Sequence, residues 1–116
     1  MTTNAYLVYW CNEGLEGVVP ISQYEEIDVA NTFRILADED PVRNPINTII
    51  QTMLLRARCN TQRHYELYAI EADAGISGRD IETMFASNPQ GAADTIRKIG
   101  TKLWSDRANA DRVKIT

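Results

Sequence analysis

One histidine, two cysteines and six glycines leave little material for the commoner kinds of protein chemistry. His64 is the only imidazole, and Cys11 and Cys59 stand forty-eight positions apart, so the closely spaced Cys/His pairs that zinc demands are missing. No glycines fall into the G-x-x-x-x-G-K or G-x-G-x-x-G spacings, which removes the phosphate-cradling loops. Long apolar runs are missing too. The longest, Ala5 to Cys11, is far short of the ~20 residues that span a bilayer. The opening Met-Thr-Thr-Asn-Ala-Tyr has neither the basic stretch nor the small-residue cleavage site of a signal peptide. The expectation is a cytoplasmic protein with no membrane partner, no cofactor and no dedicated metal.

One absence is local. Residues 41 to 65 contain Arg43, Arg56, Arg58, Arg63 and His64 and not a single carboxylate, although the chain as a whole carries a formal charge of −4. Residues 13 to 40 hold eight acids against Arg34, residues 66 to 96 hold six against Arg79, and residues 97 to 116 return to +4. Such block alternation can place opposite charges on opposite faces and steer association. An acidic pI near 4.9 argues against a general nucleic-acid coat, which needs a broad basic surface. With 116 residues, 44% hydrophobic and 24% charged, the chain fits one globular domain spanning 1–116.

Punctuation along the chain is clear. Ala5 to Cys11 is apolar on both alternating faces and reads as a central strand. Asn12-Glu13-Gly14 turns it, and Gly17 to Ile21 returns as a strand that Pro20 confines to an edge or a strand end. Ser22 with Glu25 forms a capping box for a helix carrying Val29, Ala30, Phe33, Leu36 and Ala37 on one stripe. Asn44-Pro45 caps the next, with Ile46, Ile49, Ile50, Met53, Leu54 and Ala57 at helical spacing. Tyr65 to Ile70 alternates as a strand. Ser77 with Asp80, then Asn88-Pro89, start two more helices, and Gly100 ends the second. Thr101 to Arg107 and Arg112 to Thr116 read as a closing hairpin. The predicted order is ββααβααββ, an α+β domain with a mixed or antiparallel sheet of about five strands and two helix pairs largely on one face.

Few residues suggest chemistry. Glu71 and Asp73, with Glu66, are the only carboxylates placed to hold magnesium, and solvation explains them as well. A cysteine nucleophile needs His64 as base near Cys11 or Cys59, with no evident orienting carboxylate but Glu66. Both cysteines read more simply as buried thiols acting as small hydrophobes. Arg43 precedes the Asn44 cap, where a guanidinium and free amides make an anion site. The best candidate is a partner-binding patch of Leu55, Arg56, Arg58, Arg63 and His64, with an apolar centre and a charged rim. That reading requires these guanidinium groups to stay clear of the acidic blocks in the fold. Otherwise they are surface ion pairs that need no functional reason.

Tyr-Leu-Val-Tyr-Trp-Cys-Asn-Glu-Gly-Leu-Glu at residues 6 to 16, Leu-Leu-Arg-Ala-Arg at 54 to 58 and Gln-Arg-His-Tyr-Glu-Leu-Tyr at 62 to 68 resemble segments of small accessory proteins of large tailed bacteriophages. The resemblance implies a product made in an infected bacterial cytoplasm, where such proteins bind and inhibit or redirect host proteins. It assigns no residue a role. The leading expectation is therefore a non-catalytic accessory protein that binds and modulates a host protein, in defence or nucleic-acid metabolism. A nucleotide or oligonucleotide binding module and a virion structural component are the alternatives.

Overall fold

The computed structural model describes residues 5–21, 49, 52, 53, 55, 56, 59, 63–72, 75–105 and 115, with Trp104 described by its backbone alone. Strands β1 (Ala5–Cys11), β2 (Gly14–Ile21), β3 (Tyr65–Glu71) and β4 (Thr101–Ser105) form a four-stranded sheet in the order β2-β1-β3-β4. Every neighbouring pair is antiparallel. Helices α1 (Gly78–Ser87) and α2 (Pro89–Ile99) follow β3. Residues 49, 52, 53, 55, 56 and 59 are also helical. The α+β class and the antiparallel sheet thus match expectation, with β1 and β3 in the centre and Pro20 on an edge strand. The helix predicted after Ser22 lies outside the described residues, as does the final strand from Arg112 except for Ile115, which is buried and not in a strand.

Both faces of the sheet are buried, which corrects the expectation of helices largely on one face. Leu7, Cys11, Tyr65, Leu67 and Ala69 point to one side, where Ile49 and Met53 cover them. Val8, Trp10, Tyr68 and Ile70 point to the other, under Ile81 and Phe85 of α1 and Ala92, Ala93 and Ile96 of α2. The near-continuous apolar sequences of β1 and β3 are what burial on two sides demands.

Local signals explain the helix ends. Ser77 Oγ accepts from the Asp80 amide at 3.1 Å and the Asp80 carboxylate accepts from the Ser77 amide at 3.1 Å, a complete capping box. Asn88 Oδ1 accepts from the Gly91 amide at 3.1 Å, with Pro89 at the first helical position. Gly100 closes α2 by donating its amide to the Ile96 carbonyl. Its φ of −98° is open to any residue, but a Cβ there would lie 2.8 Å from the Ile96 carbonyl oxygen and 2.9 Å from that of Ala69. Close approach of helix to strand, not backbone freedom, is why glycine stands there.

Two bulges adjust the strands. Tyr9 pairs with Gly17 and Trp10 with Leu15, so Glu16 is an extra residue in β2. The sequence pattern missed Gly14 to Glu16 as strand because this bulge breaks the alternation: Leu15 packs on the Trp10 side, while Glu16 and Gly17 both turn to the other. In β4, Leu103 is extra between the partners of Leu67 and Tyr68.

The polar group that organises this core is Glu66, 0% exposed in the middle of the sheet and directly across from Trp10. Arg97 of α2 reaches it with a fork: Nη2 donates to Oε2 at 2.6 Å and Nε to Oε1 at 3.4 Å. The Trp10 indole donates to Oε2 at 3.2 Å. Asp94, one turn before Arg97, holds Nη1 at 2.8 Å. The guanidinium also lies 5.7 Å from the Trp10 ring centroid, a cation–π contact. Trp10 stacks on Tyr68 at 5.3 Å and meets Phe85 at 5.6 Å. Burial disfavours the charged arginine, yet the hydrogen bonds and attraction of Glu66 and Asp94 outweigh it and lift its pKa above the ordinary value. Removing one member of such a pair strands a buried charge. Arg97→Met is therefore expected to lower the unfolding free energy by about 3–5 kcal/mol in urea titrations. Glu66→Leu combined with Arg97→Met should recover most of that loss, and a single variant as stable as the parent would show that the pair does not seat α2.

Candidate functional site

Of the predicted patch, Arg56, Arg63 and His64 meet residues of the β1–β2 hairpin. Cys11 pairs with Gly14 across a two-residue turn of Asn12 and Glu13, and Gly14 takes φ +138°, a conformation that favours glycine. Asn12 Oδ1 accepts from the His64 amide at 3.0 Å, which ties the turn to the start of β3. On the side of the sheet covered by Ile49 and Met53, the bulge brings Glu16 against Cys11, whose thiol donates to Oε1 at 3.5 Å. The same sulfur accepts from the Glu13 amide at 3.3 Å.

Here the structure corrects the requirement that the arginines stay clear of acids. Arg56 is ion-paired to Glu16, and Arg63 Nη2 lies 2.9 Å from the Glu13 carboxylate. The acids come from the bulge of β2 and from the turn before it, forty and fifty residues away in the chain. Tyr65 is buried beside them. Its hydroxyl and Arg63 Nε are enclosed without well-aligned hydrogen bonds, yet the phenol and Glu13 both raise the arginine pKa.

Leu55 is where the periodicity placed it, on the outward side of a helical stretch whose Ile49 and Met53 are buried. It is 63% exposed, with Thr52, Arg56 and Cys59 also outward. Cys59 is thus not the buried thiol expected: it lies four residues beyond Leu55 and shares the solvent side. Arg58, and Arg43 and Asn44 where an anion site was expected, lie outside the described residues. Sequence reasoning missed Glu13, Glu16 and Tyr65 as members of this cluster. The one signal was the turn chemistry at Asn12-Glu13-Gly14, which showed a reversal there but not what it faced.

The chemistry of the cluster is that of neutralised charge. Burial, and then Glu16, push the Cys11 thiol above its ordinary 9.0, although the Glu13 amide pulls the other way. A nucleophilic thiolate needs the reverse. Burial likewise raises Tyr65 above its ordinary 10.0, opposed by Arg63. Among the described residues, no three His, Cys, Asp or Glu side chains are arranged to hold a metal ion, and no helix is long and apolar enough to cross a membrane. Glu71, considered above for magnesium, is exposed, Asp73 lies outside the described residues and Glu66 is taken by Arg97. Compared with known proteins, the chain matches no family model, no curated sequence and no solved structure.

Two outcomes follow for the thiols. Ellman's reagent at neutral pH is expected to titrate Cys59 promptly and Cys11 only after denaturation, because one is exposed and the other buried and held protonated. Two thiols reacting at equal rates would contradict this arrangement. Stability should also depend on alkaline pH. Cys11 and Tyr65 are held neutral in the fold, so their contribution is complete below the ordinary thiol value of 9.0 and is lost as pH rises beyond it. Urea midpoints should therefore fall as pH rises above about 9, and fall less steeply in Cys11→Ala. Parallel profiles for the two proteins would refute the role of the thiol.

Proposed function

We propose that the protein is a small non-catalytic binding module, a phage-type accessory factor that engages and modulates a host protein from the bacterial cytoplasm. The observation that carries this reading is the exposure of Leu55 on a helical stretch whose opposite side is buried in the core. Arg56, next to it in the chain, pairs with Glu16, and Arg63 pairs with Glu13, so the cations assigned to the rim are already balanced within the chain. An apolar centre inside a polar rim is the anatomy of a protein contact surface. Balanced rim charge gives register and partner choice more than affinity, so the apolar centre supplies most of the binding energy.

This differs from a free cationic spot, and the difference bears on the alternatives. An oligonucleotide partner draws on arginines without carboxylates beside them, so that phosphate contacts release counterions. Arg56 and Arg63 do not offer that. Arg58 and His64 enter the proposed surface with Leu55 by position in the chain.

The test is photo-crosslinking in bacterial cells from a photoreactive residue at position 55, with position 82 on the exposed side of α1 as control. A partner should be captured from position 55 alone. Leu55→Glu should weaken its binding by about tenfold or more, with stability changed by less than about 0.5 kcal/mol because the site is exposed. Undiminished capture by Leu55→Glu would remove the patch from the account.

A further inference from the structure

Two large apolar side chains stand exposed among the described residues, Leu55 and Ile99, the latter at 44%. They sit in opposite electrostatic company. Beside Leu55 in the chain, Arg56 is paired with a carboxylate. Ile99 ends α2, Gly100 follows at once and β4 begins at Thr101, so Ile99 stands in the chain between Lys98 and the Thr101–Lys102 pair, all three exposed. Neither Lys98 nor Lys102 forms an ion pair with any described residue. The acid one turn back on α2, Asp94, is taken by Arg97 and Gln90. A lysine in the last turn of a helix favours the negative end of its dipole, which accounts for Lys98. It does not account for Lys102 on the strand, nor for an isoleucine 44% exposed beside them in the chain.

We infer that this α2–β4 corner docks an acidic segment of a partner protein, with Ile99 as the apolar anchor and Lys98 and Lys102 receiving carboxylates. The surface is separate from the Leu55 patch. Thr101 pairs with Ala69 near one end of β3, whereas Cys11, Arg63 and Glu13 belong to the end where Tyr65 begins. Charge complementarity selects the class of partner. Residues 98 to 105 carry two cations and no carboxylate, which orients an acidic partner toward this corner. Two lysines around one aliphatic side chain suit a carboxylate-bearing peptide better than a nucleic acid, which draws on more phosphate contacts and on aromatic platforms. Tyr68, the strand partner of Lys102, is buried against Trp10 and gives no stacking surface.

The experiment uses the full chain and a short fluorescein-labelled peptide of interspersed leucine and glutamate. Its glutamine counterpart and a single-stranded oligonucleotide of equal charge serve as comparison arms, all read by anisotropy. The acidic peptide should bind most tightly and weaken with added salt. Lys98→Glu with Lys102→Glu, and separately Ile99→Asp, should each reduce its affinity by about tenfold, while circular dichroism is unchanged and melting falls only by the small amount that acids at a helix C-terminus cost. Tighter binding of the oligonucleotide, equal binding of the glutamine peptide, binding unaffected by the substitutions, or no binding of the acidic peptide would each overturn the inference. Crosslinking from position 55 reports on the other patch, so the two readings stand or fall separately.

Discussion

A carboxylate buried in the centre of a sheet is the constraint around which this molecule is arranged. Taking Glu66 out of water costs several kcal/mol unless its oxygens are fully satisfied, and an aliphatic residue would fill the same place without that cost. The structure satisfies it from two directions, through the Trp10 indole beside it on β1 and the Arg97 fork from above. A forked ion pair tolerates little rotation, so α2 is fixed in both roll and slide on β3. Through Trp10 the same network reaches Tyr68 and Phe85, and so α1. On the outer side it continues from Asp94 to Gln90, whose side-chain oxygen accepts the Ile115 amide at 2.9 Å.

The adjacent step of the same strand carries the second polar cluster on the opposite face. Cys11 follows Trp10, and Tyr65 precedes Glu66, so one pair of strand positions supplies an ion network to α2 and the next supplies a protonated thiol to Glu16. Arginine is used in both places to neutralise glutamate, at Arg97 with little exposure and at Arg56 and Arg63 with more. At these three positions the guanidinium, with its rigid fork, serves internal partners, while the exposed lysines of α2 and β4 pair with no described residue.

Much of the fold was legible because its signals are local. Ser77 with Asp80, Asn88-Pro89, the turn at Asn12 and the apolar run of β1 each depend on a few neighbouring residues, and each forms as its pattern indicated. What stayed hidden was long-range. The choice of face for each helix depends on contacts across the whole chain. The extension of β2 to Gly14 was masked by a bulge that a period of two cannot represent. Glu66 looked like any polar residue in an alternating strand, since nothing near it in sequence announces Arg97 thirty-one positions later. The candidate site shows the same division. Exposure of Leu55 follows from helical spacing alone, whereas the partners of Arg56 and Arg63 belong to an acidic block that seemed distant until the hairpin folded it back.

The irregularity at Glu16 has a bearing on assembly. β2 is the outermost strand of the described sheet on its side, and such a rim offers unpaired amides and carbonyls to any extended chain nearby. Here the rim is bent by the extra residue, carries glycine at 14 and 17, and lacks an amide hydrogen at Pro20. A foreign segment laid along it would find its ladder interrupted at both ends. Association through this rim by strand addition, the route to domain exchange and fibres, is thereby discouraged, and contact with other molecules is left to side chains.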